Sequence, residues 1–169
     1  MKTIQKKICL LGDFAVGKTS LVRQFVEGLF NDEYLSTIGV KISRRTVELP
    51  DQNAKANLLV WDLAGGDDYS KVTSGYLAGA SGVVMVCDLT RKNTLQMLEI
   101  YARQLDKVSK KNLPKVILAN KVDLTTDRQI TEEALNLIGE KLNANWFLTS
   151  AKTGEEVEKG FTQLAELLI

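Results

Sequence analysis

Gly12-Asp13-Phe14-Ala15-Val16-Gly17-Lys18-Thr19 follows directly on the apolar run Ile8-Cys9-Leu10-Leu11. Its spacing is G-x-x-x-x-G-K-[ST], and Leu21 and Phe25 recur at helical spacing just beyond it, so the pattern lies in the strand, loop and helix context it requires. Glycines permit a tight turn that aims backbone N–H groups at phosphates, and a helix N-terminus adds partial positive charge. On this reading the loop from Phe14 through Ala15, Val16 and Gly17 to Ser20 wraps a nucleotide's phosphates. Lys18 then reaches the β- and γ-phosphates, and the Thr19 hydroxyl coordinates Mg²⁺. The competing reading, a glycine turn with an incidental Lys-Thr, leaves the flanking strand and helix without a reason.

Along the chain, the runs Ile8 to Leu11, Lys41 to Leu49, Leu58 to Trp61, Val83 to Cys87, Val116 to Ala119 and Trp146 to Leu148 read as strands. Amphipathic helices lie between several of them. Leu21, Phe25 and Leu29 share one face, Leu95, Leu98, Ala102 and Leu105 another, and Val157, Phe161, Leu164 and Leu168 a third, all read as core. Pro50-Asp51-Gln52-Asn53 suits the turn of an antiparallel hairpin between the second and third runs. The other strands are separated by helices and are expected to be parallel. The fold class expected is therefore α/β of the P-loop NTPase type: a mostly parallel six-stranded sheet with one antiparallel strand, helices on both faces, and the ligand site at the carboxyl ends of the strands.

Composition narrows the function. A chain of 169 residues, 44% hydrophobic, buries one sizeable core and is too short for two ordinary domains, so residues 1–169 are read as a single domain. The apolar runs fall far below the roughly 18 residues a membrane span needs, and no export signal opens the chain, which points to a soluble, cytoplasmic protein. With 22 basic and 21 acidic residues the net charge is +1, which argues for neither nucleic acid nor an anionic membrane as partner. Lys107, Lys110, Lys111 and the Arg44-Arg45 pair are read as solvated faces. Cys9 and Cys87 each lie within an apolar run and read as buried thiols. With no histidine in the chain, any metal is expected to be a hard cation held by oxygen.

Further polar loops close other strands. Asp62 ends an apolar run, where a carboxylate can hold Mg²⁺ through water beside a phosphate loop, although taken alone it serves equally as a helix cap. Asn120-Lys121-Val122-Asp123 follows Val116-Ile117-Leu118-Ala119. The Asp123 carboxylate can accept from guanine's ring N–H and from its exocyclic amine, a donor pair adenine lacks, and a site built for those donors rejects the wrong base by roughly 10⁴ or more. Asn-Lys-x-Asp alone is a common polar turn; after the phosphate loop and Asp62 it carries weight. Last comes Thr149-Ser150-Ala151-Lys152-Thr153-Gly154, whose backbone can donate to the guanine oxygen and which by itself would pass as the start of a helix.

These motifs, in this order and over essentially the whole chain, resemble the small GTPases of the Ras superfamily. Tyr34-Leu35-Ser36-Thr37-Ile38-Gly39, the Trp61-Asp62 pair and Gly75-Tyr76-Leu77-Ala78-Gly79-Ala80 make the resemblance strongest to the Rab branch. It implies a G domain binding GTP or GDP with Mg²⁺, with Phe30 edge-on to the base, Tyr34 over the phosphates and the Lys121 stem packed on the base. It also implies that Thr37 gives Mg²⁺ a second hydroxyl and that the Gly65 N–H meets the γ-phosphate, so that loss of this phosphate releases segments 31–40 and 64–76 and changes the surface partners see. Effectors, an exchange factor and a GTPase-activating protein are the partners implied. A P-loop ATPase or nucleotide kinase is the reading Asp123 disfavours.

The chain departs from its relatives in three places. Where the family reads Asp-x-Ala-Gly-Gln, this chain reads Asp62-Leu63-Ala64-Gly65-Gly66, so the glutamine that orients the attacking water is replaced by a residue without a side chain. Ras itself, with its glutamine, hydrolyses unaided at only on the order of 10⁻⁴ per second, and a rate at or below that is expected here. Asp67 and Asp68 stand close by, but a carboxylate beside a triphosphate adds repulsion, so they read as solvated acids. Phe14 occupies a loop position that relatives fill with a small residue, and its ring crowds the path by which an activating protein inserts an arginine. Activators of the TBC type bring both an arginine and a glutamine, so Gly66 alone does not block them. Finally, Rab proteins typically continue into a tail with prenylatable cysteines, whereas here the last helix is expected to run to Leu167-Leu168-Ile169 without any, so no direct membrane anchor is expected in this chain: either a lipidated tail belongs beyond it or the protein works without a lipid anchor. Two functions share every binding residue: a slow, cycling GTPase in which Lys18, Thr37, Gly65 and Gly66 are the catalytic positions, or a module that stays GTP-bound with negligible turnover.

Overall fold

A computed structural model of the chain describes residues 1–31, 39–63, 75–109 and 112–169. Its elements are β1 (Lys2–Gly12), α1 (Lys18–Glu27), β2 (Val40–Leu49), β3 (Ala54–Leu63), β4 (Gly82–Asp88), α2 (Lys92–Val108), β5 (Lys115–Asn120), α3 (Glu132–Leu142), β6 (Asn145–Thr149) and α4 (Val157–Leu167). The six strands form one sheet in the order β2-β3-β1-β4-β5-β6, parallel except where β2 runs antiparallel to β3. The hairpin turn is a short 3-10 segment, Pro50–Gln52, after which Asn53 takes a left-handed conformation. This is the mixed α/β sheet the strand and helix periods imply.

Central strands are covered on both faces, which is why β4 and β5 are buried throughout and read as continuous apolar runs. Ile8, Leu10, Leu58, Val60, Val84 and Val86 pack with Leu21 and Phe25 of α1 and Phe161 and Leu164 of α4 on one face. Cys9, Leu11, Met85, Cys87 and Ile117 pack with Leu98 and Leu105 of α2 and Leu135 and Ile138 of α3 on the other. Among the described residues no helix is long and apolar enough to cross a membrane.

Three local readings change. Leu29 is not core: Gly28, at φ 67, ends α1 by donating its N–H to Gln24 O, and Leu29 beyond it is 52% exposed. Arg45 is not a solvated charge, since it lies 4.3 Å over the Phe25 ring, donates to Phe25 O and pairs with Glu158 at 2.6 Å. β1 and β3 extend well beyond their apolar runs, because polar residues from Lys2 onward stay in parallel register with β3 from Ala54 onward.

β1 has β3 on one side and β4 on the other, and the chain leaves it first toward one and later toward the other. The crevice at its carboxyl end is therefore the place where such a sheet binds a ligand.

Candidate functional site

The phosphate loop begins at Gly12, where a Cβ would meet Val86 O of β4 at 2.5 Å, so the spacing of β1 and β4 requires glycine. Ala15 and Gly17 both have positive φ, at 59° and 104°. Gly17 is constrained a second time, because a Cβ there would lie 2.3 Å from Asn120 Nδ2. Among the described residues the N–H groups of Ala15, Val16 and Gly17 have no acceptor. Helix α1 starts at Lys18 with no acidic residue of its own in its first turn, so its partial positive charge faces the loop.

Lys18 arches back over this loop, donating to Gly12 O at 2.8 Å and Asp13 O at 3.0 Å, and is only 6% exposed. Burial pushes its pKa down to about 8, opposed by Asp62 and Asp13 and aided by Arg91. A buried ammonium with two neutral acceptors is a cation still short of an anion, which a phosphate supplies.

Thr19, beside it, donates through Oγ1 to Asp62 Oδ2 at 2.5 Å. Asp62 is 1% exposed, and its Oδ1 has no partner among the described residues. Burial pushes this carboxyl above its ordinary range, with Thr19, Lys18 and Lys41 opposing. A hydroxyl and a half-satisfied carboxylate at one point are oxygen donors of the kind Mg²⁺ takes, so the residues present fit that ion.

At the ends of β5 and β6, Asn120 joins the loops. Its Nδ2 donates to Val16 O at 3.0 Å, while its Oδ1 accepts from Thr149 Oγ1 at 3.3 Å and from the Ala151 N–H at 3.2 Å. Lys121, at φ 72, extends Nζ to Ala15 O at 3.0 Å. Asp123 accepts from Ser150 Oγ at 2.8 Å, and that oxygen in turn accepts from the Thr153 N–H at 3.0 Å. The Ala151 N–H is thus engaged by Asn120, whereas the N–H of exposed Lys152 has no acceptor among the described residues.

Phe14 and Phe30 border this cluster in sequence and are 48% and 37% exposed, while Ser20 is half-buried on α1. Tyr34, Thr37, Gly65 and Gly66, with most of segments 31–40 and 64–76, lie outside the described residues.

One residue escapes a motif reading. Asp88 closes β4, is fully buried, and pairs with Arg91 Nε at 3.0 Å and Lys121 Nζ at 2.8 Å. Its only sequence signal is position: a carboxylate ending an apolar strand beside the phosphate loop's strand, as Asp62 does.

Residues 7–169 match the family model described as Ras family. The chain is 35% identical over 163 residues to the Ras-related protein Rab-1 of Theileria parva, covering 96% of this chain and 73% of that protein. Ras-related protein Rab-13 of Mesocricetus auratus is 33% identical over 159 residues, covering 94% and 77%.

Proposed function

Because the chain belongs to the Ras family, whose members are GTP-binding switches, and is Rab-like in its relatives, we propose that it is a single-domain switch that binds GTP and GDP with Mg²⁺ and hydrolyses GTP slowly. The observation that carries this reading is Asn120, which ties the phosphate loop at Val16 O to the Asp123 and Ser150 loops, so that phosphate and base elements form one continuous wall.

In this reading Phe14 to Ser20 surround the phosphates, with the N–H groups of Ala15, Val16 and Gly17 and the Lys18 ammonium directed at them. Asp123 takes guanine's two donors, held in place by Ser150, while Lys121 and Phe30 flank the base and Ala151 and Lys152 lie by its oxygen. Thr19, Asp62 and Thr37 would hold Mg²⁺, which would supply charge neutralisation at the phosphates. Tyr34, Thr37 and Gly65 are assigned their phosphate contacts from the family pattern, and release of segments 31–40 and 64–76 presents a different surface to effectors.

Slow turnover follows from Gly66, which cannot orient a water. The cell is expected to set the state of this cytoplasmic protein through an exchange factor and a GTPase-activating protein. A second reading, a module that stays GTP-loaded, is favoured by one observation: the Phe14 ring is 48% exposed on the loop an activator's arginine must approach. Extraction of nucleotide from purified protein, followed by chromatography, separates the two. GDP identifies the cycling enzyme, GTP the loaded module, and an adenine nucleotide overturns both.

A further inference from the structure

Three successive carbonyls of the phosphate loop are each held by a side chain from beyond β4. Arg91 Nη2 donates to Phe14 O at 2.7 Å, Lys121 Nζ to Ala15 O at 3.0 Å, and Asn120 Nδ2 to Val16 O at 3.0 Å. A peptide unit is planar and trans, so turning the carbonyl of one residue outward turns the N–H of the next to the opposite side. The N–H groups so directed are those of Ala15, Val16 and Gly17, the same three that have no acceptor among the described residues.

Two of these grips share one anchor. Asp88 Oδ2 meets Arg91 Nε at 3.0 Å and Lys121 Nζ at 2.8 Å, and Asp88 Oδ1 accepts from the Thr90 N–H at 2.9 Å and Thr90 Oγ1 at 2.6 Å. Burial alone would raise this carboxyl, but Lys121, Thr90 and Arg91 outweigh it and hold it below the usual carboxylate range. A fully buried carboxylate with every acceptor direction occupied is a rigid post. Arg91 reaches its two acceptors with separate nitrogens of a planar fork, the post with Nε and the loop with Nη2; Lys121 serves post and loop from one ammonium, but a lysine at position 91 would have a single nitrogen for acceptors that the fork reaches from different atoms.

We propose that Arg91, anchored by Asp88, is a positioning residue that pre-sets the Phe14–Ala15 peptide so that the loop's N–H groups meet the nucleotide's diphosphate, and that it thereby slows nucleotide release. This rests on the nucleotide-binding reading above. Removing Arg91 leaves Asp88 with Lys121 and Thr90, so the fold keeps its post while the loop loses its outermost grip.

The test is release of a fluorescent GDP analogue from the full chain, together with the phosphorus resonances of bound GDP. Arg91→Ala is expected to speed release by about tenfold or more, the scale of a lost charged hydrogen bond. Arg91→Lys, which keeps the charge and the stem and serves if the alanine variant folds poorly, is expected to release nearly as fast as Arg91→Ala. The β-phosphate resonance is expected to move in both variants, a change that loss of general stability does not produce. Release within twofold of wild type in Arg91→Ala, or wild-type release in Arg91→Lys, overturns the proposal while leaving nucleotide binding intact. A wild-type chain that binds no GDP overturns the nucleotide reading and this one with it.

Discussion

Thr19 Oγ1 donates to Asp62 Oδ2 at 2.5 Å, joining the start of α1 to the end of β3, while Asp62 Oδ1 is buried without a partner among the described residues. A buried carboxylate satisfied on one oxygen and orphaned on the other is short of a donor or a cation. Asp62→Asn is expected to lower the Mg²⁺ dependence of GDP release, with about 10-fold or more weaker Mg²⁺ affinity, read by chelator-triggered nucleotide release. An unchanged dependence would remove Asp62 from the cation site.

Much of this site was legible because its parts are local in sequence. The phosphate loop, Asp62, Asn120 to Asp123 and Ser150 to Lys152 each follow an apolar strand, and a parallel sheet brings the strand ends to one side. The grip of Arg91 on Phe14 was not legible, since it spans 77 residues and arises only when β1 and β4 become neighbours. Helix α3 is hard to read from sequence although Thr131 caps it by accepting the Ala134 N–H and Glu132 and Glu133 fill its first turn, because Leu137 is 70% exposed and blurs the apolar stripe of Leu135 and Ile138. Tyr76 read only as part of a family pattern, yet it is 2% exposed and its hydroxyl bonds to Leu10 and to Trp61 O, a tertiary role that no spacing encodes.

Two glycines with positive φ are expected to respond differently to a methyl group. At Gly28 nothing lies within 4 Å of an added Cβ, so Gly28→Ala carries only the left-handed strain of about 1–2 kcal/mol. At Gly17 the Cβ would strike Asn120 Nδ2 at 2.3 Å, breaking its bond to Val16 O as well. Gly17→Ala is expected to cost more, by about 1–3 kcal/mol for the lost buried bond. Thermal melts are to show the larger drop in Tm for Gly17→Ala, and equal drops would argue against the Asn120 contact.

Arg45 stabilises the α1–β2–α4 junction through stacking as much as through charge. Glu158 is 59% exposed, so Glu158→Gln is expected to cost under about 1 kcal/mol. Arg45→Ala also removes the stem over Phe25 and the bond to Phe25 O, and is expected to cost about 1–2 kcal/mol. Urea unfolding of the two variants reads the difference, and equal losses would reduce Arg45 to an ion pair.

Burial pushes the Cys9 and Cys87 thiols from 9.0 up to about 12. The fold therefore favours the neutral thiol, which has no effect on stability below pH 9. Stability is lost as pH rises from 9 toward 12, because only the unfolded chain's thiols ionise there. A thiol reagent at pH 8 is expected to leave the native protein unmodified and to label both cysteines on unfolding. Rapid labelling of the native chain would contradict the burial.

Under the proposed function base choice rests on Asp123, which accepts from Ser150 Oγ at 2.8 Å, and a guanine-nucleotide switch parts there from a P-loop ATPase or nucleotide kinase. The direct measurement is competition of GTP and ATP against a fluorescent GDP analogue on wild type and Asp123→Asn. In the wild type GTP is expected to compete about 10⁴-fold or more better than ATP, and Asp123→Asn to lose most of that margin. ATP competing within tenfold of GTP in the wild type, or Asp123→Asn keeping its full preference for GTP, would contradict the assignment.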